Sequence, residues 1–313
     1  MDSASPLVSV IIPCYRQAHF LADALRSAVA QTHRPLEIIV VDDGSPDELA
    51  AVTALFPEAH LVRQPNRGLA AARNAGLRAS AGDYVTFLDA DDVLFPHAIA
   101  TGLATLGKRL DCAFAAGLWR VREVDGTVTT PRRVDPVGGA YAAMLARNFI
   151  VMHGTVLYRR SALTEIGAFR EELPSCEDYD LYLRLLRRSD VALYDEVVAE
   201  YRRHGENMTG DANRMLRGFE AALGAQWAHA RRDRVLSAAY AAGMMTERSR
   251  HGEGRLTRAS RAVRSRSDLS ETVRAVWSLL RHNPVFLVQR AARVLWRRAS
   301  RKEPVTRRPR ENP

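Results

Sequence analysis

Three carboxylates fall within four residues at Asp89-Ala90-Asp91-Asp92, directly after the apolar run Tyr84 to Leu88. A strand that ends this way delivers acidic side chains to the edge of a sheet. Carboxylates this crowded repel one another and raise one another's pKa, and a divalent cation among them relieves the repulsion. Hard oxygen ligands suit Mg²⁺ or Mn²⁺. The bland alternative is a solvated turn, or a cap on a helix over Val93 to Leu106, because Asp favours turns and caps for local reasons. A second acidic pair, Asp42-Asp43, ends the apolar run Leu36 to Val41 and is followed by Gly44-Ser45. Ser45 there could cap a following helix. A third group, Glu177, Asp178 and Asp180, opens a stretch of helical periodicity from Tyr179 to Arg188, where it would also stabilise the helix dipole.

The elements needed to hold these groups are legible around them. Leu7 to Ile12 and Leu36 to Val41 are short, β-branched and continuous, the pattern of buried strands. Between them Phe20 to Gln31 has helical periodicity. Pro46 to Phe56 and Leu69 to Ala79 read as helices, His60 to Arg63 as a short strand and Tyr84 to Leu88 as another. Alternating strands and helices predict βαβ units and an α/β fold with a mostly parallel sheet. Ligands of such sheets bind beyond the carboxyl ends of the strands, where Pro13, Asp42-Asp43 and Asp89 to Asp92 all lie. Further on, the pattern predicts strands over Asp111 to Arg122, Val151 to Tyr158 and Val191 to Arg202, a loop over Gly126 to Gly139, a helix over Ala140 to Asn148, and helices from about Asn213.

Six segments in order resemble the family 2 glycosyltransferases. They are Val8-Ser9-Val10-Ile11-Ile12-Pro13-Cys14-Tyr15, Val40-Val41-Asp42-Asp43-Gly44-Ser45, Asn66 to Gly76, Leu88 to Asp92, Cys176 to Asp180, and Tyr201-Arg202-Arg203-His204. The resemblance covers about the first 210 residues and implies a GT-A, Rossmann-like fold with a mostly parallel sheet flanked by helices. It implies an inverting enzyme that moves a sugar from a nucleotide-sugar donor, typically UDP-linked, to a glycan or lipid-linked acceptor. Expulsion of a diphosphate is eased by a metal held on carboxylates, so Mn²⁺ or Mg²⁺ is implied as cofactor.

By this resemblance Asp91 is the direct metal ligand of the DxD motif, and Asp89 contacts the ribose or the metal's water shell. Asp43, with Asp42 beside it, matches the position that reads the nucleotide base. Pro13 and Tyr15 line the base side, where Tyr15 either stacks on the base or simply packs. Arg73 resembles a nucleotide-contacting arginine, or else is a solvated helix residue. Asp178 matches the catalytic base, a positioned carboxylate that takes the proton of the attacking hydroxyl. Glu177 and Asp180 are expected to raise its pKa. His204 matches a position that touches metal or diphosphate, or else is structural. Arg202 or Arg203 could hold phosphate. Asp92 and Glu177 are secondary candidates, as is His153 at the acceptor pocket. Arg16 departs from the Asn common in the family. The Gln-x-x-Arg-Trp signature of processive synthases is absent, so transfer is expected to be non-processive.

The whole chain sets broader bounds. Its 313 residues, 47% hydrophobic, can bury a sizeable core. There is no apolar run of about 18 residues to span a bilayer, and Met1 to Pro6 lacks the basic start of a signal peptide. Three cysteines without metal spacing fit a reduced cytoplasmic setting. The net charge of +9 hides an asymmetry. Residues 1–210 hold 22 Lys+Arg against 27 Asp+Glu, and residues 211–313 hold 23 against 9. The expected organisation is a catalytic domain over 1–210, a helical Arg-rich region over 211–300 and a disordered tail over 301–313. Thr272 to Arg298 interleaves Trp277, Phe286 and Trp296 with arginines, and Pro284 divides it. It reads either as an amphipathic pair on an anionic membrane surface, peripheral at the inner face of the cytoplasmic membrane, or as a helical cap with solvated arginines. No motif for specific nucleic-acid binding accompanies the charge, and the oligomeric state is left open. Two other functions fit parts of the pattern. A sugar-phosphate nucleotidyltransferase lacks support, because Pro13-Cys14-Tyr15 stands where its Gly-rich basic loop belongs. An inactive membrane-associated scaffold would not need Asp91 and Asp178.

Overall fold

A computed structural model describes residues 5–132, 135–205 and 207–265, with side chains described as far as residue 250. The strands are β1 (Val8–Cys14), β2 (Leu36–Asp42), β3 (Ala59–Arg63), β4 (Tyr84–Phe87), β5 (Val93–Leu94), β6 (Cys112–Arg122), β7 (Val128–Thr129), β8 (Val156–Arg159) and β9 (Asp190–Arg202). The helices are α1 (Ala18–Val29), α2 (Leu49–Thr53), α3 (Leu69–Ala79), α4 (Ala98–Gly107), α5 (Ala140–Ala146), α6 (Arg160–Glu165), α7 (Glu177–Leu186), α8 (Ala212–Gly224), α9 (Trp227–Ala230) and α10 (Arg234–Ser265). Among the described residues, all nine strands join one sheet in the order β3-β2-β1-β4-β8-β6-β9-β5, with β7 paired to β6. Strands β3, β2, β1 and β4 run parallel, and β6 runs parallel to β9. The antiparallel partners are β8, against both β4 and β6, β5 against β9, and β7 against β6. The result is an α/β fold with a mostly parallel sheet.

The continuous apolar strands follow from burial on both faces. Ile11, Ile39 and Val41 point into one core with Tyr179, Leu183 and Phe219, while Val10, Ile12, Ile38 and Val40 point into the other with Leu21, Leu25 and Ile99. Successive side chains of a strand alternate between faces, so each strand must be apolar at every position. Helix α3 packs unusually close. A Cβ at Gly76 would lie 2.3 Å from Ile11 Cγ2 and 3.1 Å from Val41 Cγ2. Arg73, three residues earlier on the same helix, reaches Asp89 just beyond β4.

Several expected boundaries shift. The acidic turn does not cap a helix over Val93 to Leu106. Val93–Leu94 pairs with β9 as β5, and the helix starts only at Ala98. The helix expected over Pro46 to Phe56 is the short α2, without a side-chain cap, and the Ser45 hydroxyl instead accepts from the Arg16 and Asp47 amides. The strand expected from Val151 begins at Val156, after a 3₁₀ turn over His153–Thr155. The loop over Gly126 to Gly139 contributes the two-residue β7.

The chain divides into two compact units, Met1–Met244 and Met245–Pro313. The first runs past residue 210, because α8 packs on α7, with the Phe219 ring stacked 4.7 Å from that of Tyr179. The amphipathic segment expected over Thr272 to Arg298 and the tail over 301–313 lie outside the described residues. No described helix is long and apolar enough to cross a membrane.

Candidate active site

The carboxyl ends of β1, β2, β4 and β9 carry the candidate residues. After β4, the acidic turn splits its three carboxylates between separate tasks. The Asp91 carboxylate is the one on which side chains converge. Its Oδ2 lies 2.9 Å from His204 Nε2 and accepts from Gln17 Nε2 at 3.0 Å and Asn207 Nδ2 at 3.1 Å. Asn207 Nδ2 also lies 2.9 Å from His204 Nε2. Burial pushes the Asp91 carboxyl above its ordinary value, Asp89 adds to the shift, and the His204 hydrogen bond opposes it.

Asp92 faces inward. It is 3% exposed, and its Oδ1 accepts from the Arg202 amide. Burial, then Asp91 and Asp89, push its carboxyl well up. Asp89 is half-buried and accepts from Arg73 Nη2 at 2.6 Å.

The sequence expectation that Arg202 or Arg203 holds phosphate meets existing engagements. Arg202 Nε donates to the Asp91 carbonyl at 2.5 Å and Nη1 to Asp23 at 2.7 Å, so it braces the acidic turn from behind. Arg203 is exposed and pairs with Glu123 at 2.7 Å. His204 is packed against Phe20, with ring centroids 4.5 Å apart. Asn207 and Gln17 were missed by the sequence reading, since amide side chains carry no spacing signature of their own.

Among the described residues, no three His, Cys, Asp or Glu side chains gather to hold a metal. Asp91 and His204 stand together at the acidic turn, 2.9 Å apart. A carboxylate and one imidazole suit Mn²⁺ or Mg²⁺ when substrate phosphates and water complete the shell.

At the end of β2, Asp42 and Asp43 are both buried. Asp42 Oδ1 accepts from the Ser45 amide at 2.8 Å and closes the turn. Asp43 accepts from Gln64 Nε2 at 2.7 Å and from the Arg67 and Gly68 amides, each at 2.9 Å. It thus organises the loop before α3, and Oδ2, with one of these bonds, keeps acceptor capacity. Pro13 is buried within β1, whereas Tyr15 is 40% exposed beside it, with the Arg16 guanidinium 5.3 Å from its ring. Arg16 stands at φ 57°, in the left-handed region. Asn tolerates that conformation better than Arg, which gives a physical reason for Asn at this position.

Arg73 is not a solvated helix residue. It is 2% exposed and bridges Asp89 to Glu177, both at 2.6 Å. Glu177 and Asp178 occupy the first turn of α7. Burial pushes the Asp178 carboxyl up to about 7, Glu177 adds to the shift, and Arg73 opposes it. Asp180 is not among the leading influences on this balance. Asp180 is fully buried and pairs with Arg184 at 2.7 Å and Arg170 at 3.3 Å. Its role is structural, and Asp180→Ala is expected to cost about 3 kcal/mol by stranding buried charge. A melt of the variant checks this, and an unchanged midpoint would refute it.

The structure places His153, the candidate for the acceptor pocket, inside an aromatic cluster. It is 4% exposed, and its ring is hemmed in by Phe87, Tyr158, Phe169 and Tyr182. Its Nε2 lies 3.0 Å from the Tyr158 hydroxyl, and burial pushes its pKa well below the ordinary value.

Comparison with known proteins bears on the family and the fold. The model of glycosyl transferase family 2 matches residues 9–167, just over half of the chain. A Rickettsia felis protein named as an uncharacterized glycosyltransferase is 31% identical over 209 residues, covering 64% of this chain. The match spans only 35% of that relative's own length. A mannosyltransferase from Pyrobaculum calidifontis, solved with GDP-Man and Mn²⁺, superposes with a TM-score of 0.59 at 18% identity, covering 96% of this chain and 89% of that one. Staphylococcus aureus TarS (residues 1–349) with UDP-GlcNAc gives 0.56 at 16% identity, covering 88% and 91%. These structures share the GT-A fold seen here. The chain belongs to glycosyl transferase family 2.

Proposed function

We propose that the chain transfers a single sugar from a nucleotide-sugar donor, UDP-linked by preference, to a glycan or lipid-linked acceptor, with inversion at the anomeric carbon. The observation that carries this reading is the placement of Asp178, which stands in the first turn of α7 and is joined through Glu177 and Arg73 to Asp89 of the acidic turn. A base on one side and a donor platform on the other suit one direct displacement. Asp178 takes the acceptor hydroxyl's proton while that oxygen attacks, and the nucleoside diphosphate leaves from the opposite face.

Asp91 and His204 would hold Mn²⁺ or Mg²⁺, which when bound neutralises charge on the departing diphosphate. Asp43 and Tyr15 would meet the base, with Asp42 and Pro13 shaping that end. The assignment of UDP rests on the family resemblance. One structural neighbour was solved with UDP-GlcNAc and another with GDP-Man and Mn²⁺.

A panel of nucleotide sugars, tested for Mn²⁺-dependent binding and slow hydrolysis, checks the reading. Turnover of a UDP-sugar is expected. Preference for a GDP-sugar would overturn the nucleotide assignment, and no response to any donor would favour the scaffold reading.

The basic C-terminal third supports a peripheral membrane role, since 23 Lys+Arg stand against 9 Asp+Glu over residues 211–313. Such a surface favours anionic lipid. Deleting residues 272–313 should reduce co-sedimentation with phosphatidylserine-containing vesicles. Equal sedimentation of the truncated and full chains would remove the membrane from this account.

A further inference from the structure

Arg73 joins two parts of the chain that the sequence keeps far apart. Its Nη2 donates to Asp89 Oδ1 beyond β4, and its Nη1 donates to Glu177 Oε1 at the start of α7, both at 2.6 Å. The guanidinium carbon lies 5.6 Å from the centre of the Phe169 ring. The third nitrogen, Nε, is buried with no hydrogen-bond partner. A buried arginine with an unsatisfied donor is a costly arrangement, and plain packing could fill the same volume at less cost. The next residue reinforces the link. Asn74 Nδ2 donates to the Phe169 carbonyl at 2.9 Å, and its Oδ1 accepts from the Phe169 amide at 3.0 Å. One turn of α3 therefore holds both the acidic turn and the segment that leads into α7.

We infer that Arg73 is the positioning residue that couples the donor end of the site to its base. By bridging Asp89 and Glu177 it fixes where the Asp178 carboxylate stands and how tightly that carboxylate holds a proton. This inference rests on the reading of Asp178 as the base.

The charges around Asp178 give the coupling a sign. Glu177 from the same helix and Asp89 from the end of β4 favour the protonated carboxyl, and Arg73 from α3 favours the carboxylate. Other titratable neighbours are the hydroxyls of Tyr158 on β8 and Tyr182 on α7, both held well above their ordinary pKa by burial, and neutral His153, whose pKa the Arg73 charge also lowers. Arg73 divides its charge between Asp89 and Glu177. Whatever withdraws negative charge from Asp89 removes its repulsion of the Asp178 carboxylate, leaves the Arg73 charge less offset, and lowers the proton affinity of the base. Engagement of the donor platform would thereby prepare the carboxylate for proton abstraction.

The test needs no substrate. In protein labelled with ¹³Cγ-aspartate, the Asp178 signal is identified by its loss in Asp178→Asn, and its titration is followed by NMR. Arg73→Gln should raise the midpoint by about one pH unit or more, which is at least about tenfold tighter proton binding. Glu177→Gln, which keeps an oxygen for Arg73 Nη1, should lower it, and so should Asp89→Asn. A midpoint that is unmoved or lowered in Arg73→Gln would overturn the inference. Should that variant fail to fold, an unmoved or raised midpoint in Glu177→Gln overturns it alone. The base assignment fails separately, if Asp178→Asn retains turnover. Loss of turnover in Asp178→Asn with an unmoved Arg73→Gln midpoint sinks only the coupling.

Discussion

Asp178→Asn is expected to bind the donor as the parent does and to lose transfer by about 10²- to 10⁴-fold, the usual contribution of a positioned general base. The substitution is nearly isosteric, and an amide oxygen in place of Oδ1 can still accept from the Tyr179 amide, a bond of 2.7 Å. Proton acceptance and the negative charge are removed, and the shape is kept. Donor affinity by calorimetry and turnover by product release separate the two effects, and unchanged turnover would remove Asp178 as the base. The parent enzyme's pH profile supplies a second check. A base must be ionised to act, so with its pKa at about 7 the rate should rise with pH through that value and level off above it. Asp178→Asn should lack this limb in whatever residual activity remains. Stability moves the other way. The folded-state pKa lies above the ordinary 3.8, so the folded protein holds a proton that the unfolded chain has lost between those values. Stability from this group is fully present below the lower value and is lost as pH rises through about 7. Asp178→Asn should therefore melt higher than the parent above neutrality, with the difference fading toward pH 4.

The strands of this fold were legible because burial on both faces forces apolar runs, and β1, β2 and β4 ended within two residues of where the runs stop. The β4–β5 region was less legible. Val93–Leu94 is too short to show a period, and its pairing partner on β9 lies more than a hundred residues away. The same distance hid the bridge from Arg73 to Glu177, since nothing local distinguishes an arginine destined for burial from one on a solvated face. The surroundings of His153 were hidden for a related reason. A lone histidine carries no mark of the aromatic rings that surround it. The acidic clusters were visible as clusters, yet their division of labour was not. Asp89, Asp91 and Asp92 look alike in sequence, but one pairs with Arg73, one meets His204, and one accepts from the Arg202 backbone. Backbone direction after β4 decides which carboxylate faces which partner, and composition does not encode it.

Asp91→Asn should abolish Mn²⁺-dependent donor hydrolysis, with a loss of at least about a hundredfold, comparable to removing one group that stabilises charge in the transition state. Asp91 is where His204, Gln17 and Asn207 converge, so the substitution changes the one oxygen that several elements address. An Asn oxygen can still occupy that place but brings no negative charge, and hard divalent cations bind neutral amides less tightly than carboxylates. The fold should survive. The carboxylate's own partners are half-buried side chains, while the backbone of the turn is held by Arg202 through the Asp91 carbonyl and by Asp92 through the Arg202 amide. Mn²⁺ binding followed by electron paramagnetic resonance in the presence of UDP should weaken, while the melting profile without metal should stay near that of the parent. His204→Gln should weaken Mn²⁺ binding less, because the remaining carboxylate keeps the charge. Full metal-dependent hydrolysis in Asp91→Asn would sink the assignment. Equal loss in Asp89→Asn with intact Mn²⁺ binding would instead place Asp89 on the nucleotide, leaving Asp91 as the carboxylate that meets the ion.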